Sequence, residues 1–254
     1  KKRIIKMVQI ILRDDDLNIN CNHKDLDIFF EASKHYDEVV ISVVPFPCSQ
    51  SETGSNNNID LDFSVNNSFI KKARTLLKHK NVTLSMHGVR HKGYGEFKDE
   101  IEFSEIKRAK ETIEKIFGVN VQTFTPPNNI LSKKNFYKIV DAGFKRIFTA
   151  FSNWPNERPL RFCYFDHFLR SSFLALIGKK ERRIIRKLKY KNTEEYPSFI
   201  AYTPKDLKNL IDNIIKSNLK PEDTIIIGTH FWELWRTNSD ELLSLPNLIR
   251  CKIH

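Results

Sequence analysis

The sequence lacks most of the short signatures that identify a function at sight. No apolar run among its 254 residues approaches the roughly 20 needed to span a bilayer. Its four cysteines, Cys21, Cys48, Cys163 and Cys251, include no Cys-x-x-Cys pair, which excludes a zinc ribbon and a thioredoxin-type redox motif. Their wide scatter reads as reduced thiols and favours a reducing, cytoplasmic compartment, with two disulfides left open. The dinucleotide fingerprint Gly-x-Gly-x-x-Gly is absent, and so is the phosphate loop that ends in Gly-Lys-Ser/Thr. No helix-turn-helix, zinc-finger or single-strand-binding signature emerges, so nucleic acid is not an expected partner. Neither an internal repeat nor a secretory signal is visible, and the chain opens on Lys1 rather than Met.

What the sequence has in excess is positive charge. Lys and Arg number 42 against 31 Asp and Glu, a formal net charge of +11. That balance favours an anionic partner such as a phosphorylated or acidic glycan, or an anionic lipid surface; a basic solvated surface is the plain alternative. Hydrophobic residues make up 40% and charged residues 29%, the balance of a soluble globular domain.

Strand and helix patterns alternate along nearly the whole chain. Residues 4–12, 39–46, 82–88, 121–127, 146–151, 198–203 and 223–232 read as strands, rich in β-branched residues or closed by turn residues. Residues 25–36, 67–80, 100–118, 132–144 and 203–219 carry apolar residues at helical spacing, with Ser132 as a cap and Gly118 as a stop. Residues 47–66 are rich in Ser, Asn and Gly and read as a loop. Strands joined by helices imply right-handed crossovers and a mostly parallel sheet. The expected fold class is therefore α/β: an irregular seven-stranded (β/α) barrel, with an open doubly wound sheet as the alternative. One domain spans 1–254, interrupted by an insertion at 152–197 with helical character. Within it, 165–191 combines an aromatic run with a basic one. That element suits peripheral contact with an anionic membrane or a lipid-linked substrate, or else packs on the barrel with its lysines and arginines in water.

Chemistry-bearing residues collect at the C-terminal ends of the strands, where barrel enzymes build their sites. Strand one runs into Arg13-Asp14-Asp15-Asp16, strand three into His87-Gly88-Val89-Arg90-His91, strand four into Thr125-Pro126-Pro127-Asn128-Asn129, and the last strand carries His230 before Trp232. Two histidines four apart reach one ion if the backbone turns between them, and Gly88 allows that turn. The Asp run supplies a carboxylate as third ligand, and a His/His/Asp set keeps positions open for water and substrate.

Asp15-Asp16, His87-x-x-x-His91, Pro126-Pro127 and Thr229-His230, in that order, resemble the polysaccharide deacetylases, the nodulation-protein-B-like carbohydrate esterases. The likeness is strongest to a divergent branch with Arg-x-Asp-Asp, His-Gly-x-x-His and a following Glu-Phe, here Glu96-Phe97. The resemblance implies metal-dependent removal of N- or O-acetyl groups from sugars. It implies that Asp16, His87 and His91 bind zinc or another divalent transition metal, and that Asp15 is the general base toward the attacking water. His230 is then the general acid, and the backbone N–H of Asn128 helps hold the oxyanion. Pro127, Asn129 and Trp232 complete the candidate oxyanion and substrate-binding set.

Two departures from the family pattern stand out. Gly88 has no hydroxyl to brace the histidine turn, and Thr125 stands where the family's Arg-Pro-Pro segment carries the arginine that orients the base. Arg13 is the expected replacement for that arginine. Asp166 and Glu233 are candidates for the carboxylate behind His230, and Trp154, Trp232 and Trp235 either stack on sugar rings or pack in the core. Strand alternation places Asp14 and Asp16 on one side and Asp15 on the other, which leaves the base and ligand assignments open by one residue. The expected activity is deacetylation of an acetylated sugar, anionic or lipid-linked, in a cell-surface glycan or its precursor. The alternatives are a catalytically silent glycan-binding protein on the same scaffold and a hydrolase of another non-peptide amide bond.

Overall fold

A computed structural model describes residues 8–47, 67–93, 95–150, 188–215 and 223–253. Its strands are β1 (Gln9–Leu17), β2 (Glu38–Val43), β3 (Val82–His87), β4 (Thr123–Thr125), β5 (Arg146–Ala150), β6 (Leu188–Tyr190), β7 (Thr193–Ile200) and β8 (Thr224–Thr229). Its helices are α1 (Asp27–Ala32), α2 (Ser68–Leu76), α3 (Phe103–Phe117), α4 (Lys133–Asp141), α5 (Pro204–Ile215) and α6 (Leu234–Ile253). Neighbouring strands pair in the order β1-β2-β3-β4-β5-β7-β8, all parallel, and β8 pairs with β1. Seven strands thus close into a barrel, and β6 adds an antiparallel hairpin on β7. No helix among the described residues is long and apolar enough to cross a membrane.

The seven strands expected from the sequence are the seven barrel strands, with shifted ends. β1 does not stop before its polar residues. Its backbone stays in the ladder on both sides, with Arg13 opposite Val40 and Gly228, and Asp14 opposite Ile41 and Thr229. β7 begins at Thr193, inside the stretch read as an insertion, and residues 188–197 form the β6–β7 hairpin. The rest of that stretch, with the helical character and membrane contact expected of it, lies outside the described residues, as does all but the first residue of the loop expected over 47–66. His230 follows β8 rather than lying within it.

Two apolar layers hold the barrel. Inside it sits a small plug of Ile11, Val40, Phe148 and Ile226, with Tyr196 packed against it. Outside, the helices bury their apolar faces against the strands. In α3 these are Ile106, Ala109, Ile113, Ile116 and Phe117, at helical spacing. Fully burying an isoleucine such as Ile106 or Ile113 contributes about 1.5–3 kcal/mol. Below the plug, polar side chains fill the barrel floor, where Arg146 forks onto Glu38 at 2.8 and 2.6 Å. A cavity of about 520 Å³ opens there, lined in part by Gln122, Lys145, Lys189 and Glu194.

No element was expected after 232, yet α6 runs to Ile253. It carries Pro246 and a non-helical Asn238, both of which read as breaks in a sequence. Pro246 has no N–H for the carbonyl of Leu242, and the buried Tyr36 hydroxyl donates to that carbonyl instead, at 2.6 Å. Leu234, Trp235, Leu242, Leu245 and Ile249 then anchor the helix in the outer core.

Candidate metal centre and its surroundings

The three aspartates at the end of β1 face three different environments. Asp14 points outward, accepting from Thr229 Oγ1 at 2.8 Å and from Trp235 Nε1 at 3.2 Å. Burial raises its carboxyl well above the usual range, against the pull of those two donors. Asp15 shares the inward side with Arg13, whose Nη2 lies 2.7 Å from Asp15 Oδ2. Asp16 adopts φ +66°, and the β1–β2 register shifts between Asp14 and Leu17. This bulge breaks strict alternation and brings Asp16 inward as well.

Asp16 Oδ1 lies 2.9 Å from His87 Nε2 and 2.8 Å from His91 Nε2. All three residues are buried, and their ligand atoms lie within 4.8 Å of one another. His87 Nδ1 faces the Thr125 carbonyl at 3.1 Å. A carbonyl only accepts, so Nδ1 carries a hydrogen and Nε2 is the ring nitrogen turned toward Asp16. A ring nitrogen and a carboxylate oxygen at that distance call for a cation or a shared proton between them. The donor set, one carboxylate oxygen and two imidazole nitrogens, fits a zinc-like divalent ion with coordination positions left open. Burial opposes ionisation of Asp16, but the charges and hydrogen bonds of His87 and His91 outweigh it and hold its carboxyl well below the ordinary range.

The turn between the histidines has an unusual support. Gly88 adopts φ +65° and His91 φ +52°. Glu96 accepts the backbone N–H of Val89 at 3.0 Å, Arg90 at 2.8 Å and His91 at 3.2 Å. The sequence pairs Glu96 with Phe97 only as part of a motif; the carboxylate's use was not legible from it. Asn128 Oδ1 accepts from Gly95 N at 2.9 Å and ties this segment to the Pro126-Pro127 turn.

Arg13 is fully buried and extends across the barrel mouth. Besides Asp15 it donates to Asn129 Oδ1 at 2.9 Å and Ser198 Oγ at 3.1 Å. Gly228 on β8 leaves the room for it, since a Cβ there would lie 2.9 Å from Arg13 Nη2 and 2.8 Å from Ile200 Cδ1. Asp15 Oδ1 is buried and meets no hydrogen-bond donor among the described residues.

His230 Nε2 lies 3.1 Å from Asp16 Oδ2, and its Nδ1 lies 3.0 Å from Glu233 Oε2. Of the two carboxylates considered behind this histidine, Glu233 is the one in contact; Asp166 lies outside the described residues. Trp232 stacks on the ring of His230, with centroids 4.5 Å apart, and Tyr202 stacks on it at 4.0 Å. Tyr202 was not singled out in the sequence, because its one signal is a place just after β7. Burial pushes its hydroxyl well up. Trp235 is a core residue, edge-on to Phe29 at 6.3 Å, and Trp154 lies outside the described residues. Pro127 is buried against Gly88, and Asn128 and Asn129 take φ +50° and +57° at the close of the Pro126-Pro127 turn. Cys21 and Cys251 are free thiols.

The polysaccharide deacetylase family model matches residues 55–147. No curated protein sequence matches the chain. Among solved structures, the chain is similar to a 4-alpha-glucanotransferase from Thermococcus litoralis (9% identity, 98% of this chain and 37% of that one, TM-score 0.49). It is similar to a polysaccharide deacetylase from Bacillus cereus (13% identity, 97% and 87%, TM-score 0.49). A family 4 carbohydrate esterase from Streptomyces lividans, in complex with acetate, is a further likeness (8% identity, 98% and 88%, TM-score 0.47). The chain spans well under half the length of the glucanotransferase.

Proposed function

We propose, from the premise that the chain has the fold and the Asp–His–His cluster of a divergent polysaccharide deacetylase, that it is a metal-dependent hydrolase removing acetyl groups from an acetylated sugar. The observation that carries this reading is the convergence of Asp16, His87 and His91 on one point, with Asp15 and His230 beside it. A divalent ion held there supplies Lewis acidity toward an acyl carbonyl and a water molecule.

The remaining steps fall to the chain's own side chains. Asp15 accepts the proton of the attacking water at Oδ1, while Arg13 holds Oδ2 and fixes the carboxylate's plane. Arg13 stands in for the arginine that Thr125 replaces. The backbone N–H of Asn128, on the Pro126-Pro127 turn, supports the developing oxyanion, with Pro127 and Asn129 holding that turn in place. His230, oriented by Glu233 at Nδ1 and sandwiched between Tyr202 and Trp232, gives a proton to the departing sugar amine or alkoxide. The half-buried Trp232 beside His230 offers an apolar ring to a sugar. The net charge of +11 suits an anionic or lipid-linked acetylated glycan, a cell-surface polymer or its precursor.

Zinc titration followed by an acetate assay tests the reading. Zinc at about a hundred times its Kd should raise stability by about 2.7 kcal/mol, and a chelator should remove that gain. His87→Ala or His91→Ala should abolish it. The zinc-loaded protein should release acetate from at least one member of a panel of N- and O-acetylated sugars. Zinc binding without acetate release would leave a silent glycan-binding protein or a hydrolase of another amide, and absence of zinc binding would remove the metal chemistry altogether.

A further inference from the structure

Three consecutive backbone N–H groups, those of Val89, Arg90 and His91, converge on one carboxylate. Successive amides turned to one side form a concave anion seat, and here the chain supplies its own anion. Oε2 of Glu96 takes the amides of Val89 and His91, and Oε1 takes that of Arg90. Only a side chain with two accepting oxygens can serve all three. The seat also explains Gly88. A Cβ at that position would lie 2.4 Å from Glu96 Oε2 and 2.3 Å from Pro127 Cγ, so a hydroxyl-bearing residue and the Glu96 carboxylate cannot share the space. The lever itself is fixed: Phe97 is buried in the outer core beside Phe124, and its carbonyl accepts from Ser132 N and Asn135 Nδ2.

We propose that Glu96 is the positioning residue of the ligand turn. Its carboxylate replaces a hydroxyl brace at residue 88, sets the backbone of 88–91, and thereby aims His91 Nε2 at the ion shared with Asp16 and His87. The proposal rests on the reading of those three residues as a metal site. Glu96 touches neither ion nor substrate; it acts through the backbone of His91. Glu96→Gln keeps the size but replaces one acceptor with a donor that faces the amides.

Residue-resolved amide exchange and zinc affinity, by competition with a chromophoric chelator, test this together. In the wild-type protein the amides of Val89, Arg90 and His91 should exchange slowly; fast exchange at all three overturns the proposal without any variant. E96Q should retain its fold by circular dichroism, speed exchange at those amides at least about tenfold, and weaken zinc binding about 10–100-fold, the usual range for an outer-shell partner. Cobalt(II) absorption should shift in E96Q in parallel. Unchanged zinc affinity or unchanged exchange in E96Q overturns the proposal. If the wild-type protein binds no zinc, the metal-site reading fails, and the proposal's aim at an ion fails with it. The exchange data then still decide whether Glu96 braces the turn. His91→Ala, which loses zinc but keeps the slow amides, separates the two failures.

Discussion

Replacing Arg13 with Met tests the centre of the site with the least change in volume. The guanidinium is fully buried and makes three hydrogen bonds, to Asp15, Asn129 and Ser198. Its removal leaves the Asp15 carboxylate buried without its cation and two further acceptors without a donor. Breaking a buried pair from one side costs about 3–5 kcal/mol. For a chain of this size that is a fall in Tm of roughly 6–20 °C. Asp15→Asn alone should also destabilise, since it strands the cation. The double variant R13M/D15N should recover part of the loss, with a coupling of about 1–3 kcal/mol by thermal and urea melts. Catalysis should suffer more than stability. A base carboxylate free to swing by an ångström costs on the order of a hundredfold in kcat, so R13M should lose acetate release even where it is fully folded. An R13M protein that melts within about 2 °C of wild type and keeps its activity would refute the assignment of Arg13 as the orienting cation.

Two other expectations follow from side chains the sequence did not flag. Tyr202→Phe keeps the ring stacked on His230 and should change kcat less than about twofold. Tyr202→Ala should lower kcat about fivefold with zinc affinity unchanged, since a stacking contact of about 1 kcal/mol corresponds to that factor. At the barrel floor, burial pushes the Glu38 carboxyl up, but the Arg146 hydrogen bonds and charge outweigh it and leave it lowered. A lowered carboxyl stabilises the fold above its unfolded pKa and loses that contribution as pH falls through the folded one. Urea melts should therefore show wild type losing stability below the ordinary glutamate range. Glu38→Gln should be less stable by about 1.5–3 kcal/mol at neutral pH and flatter across the acid window.

The barrel was legible because its strands are short, β-branched and separated by helices with clear stops, such as Gly118 after α3 and the Ser132 cap of α4. The residues that converge at the strand ends were legible for the same reason: position in a β/α barrel fixes the face. What was hidden depends on contacts between distant segments. Glu96 takes its meaning from three amides, and Tyr202 from the neighbour it stacks on. α6 was hidden because its Pro246 looks like a stop until Tyr36, 210 positions earlier in the chain, supplies the donor that the proline lacks. β6 and the first half of β7 carry Lys, Glu and Thr, whose alternation is weak and whose burial comes from the barrel wall.

The three aspartates make the same point at the level of a single turn. Strict alternation would send Asp14 and Asp16 to the helix side and Asp15 alone into the barrel. The proposed base would then face inward without the proposed metal ligand. The shift of register after Asp14, with Asp16 at φ +66°, lets the strand keep Asp14 outward on Trp235 while Asp15 and Asp16 both turn in. Each carboxylate then meets its own partner: two neutral donors, a buried guanidinium, and a pair of imidazoles. A positive φ at a residue other than glycine costs of order 1–3 kcal/mol and persists only where the surroundings impose it. Here they do, since straightening the strand would separate Asp16 from His87, His91 and His230 at once. Three carboxyls in sequence are tolerable because the bulge divides them among three environments, and that division puts the proposed proton acceptor, Asp15, next to the proposed metal ligand, Asp16.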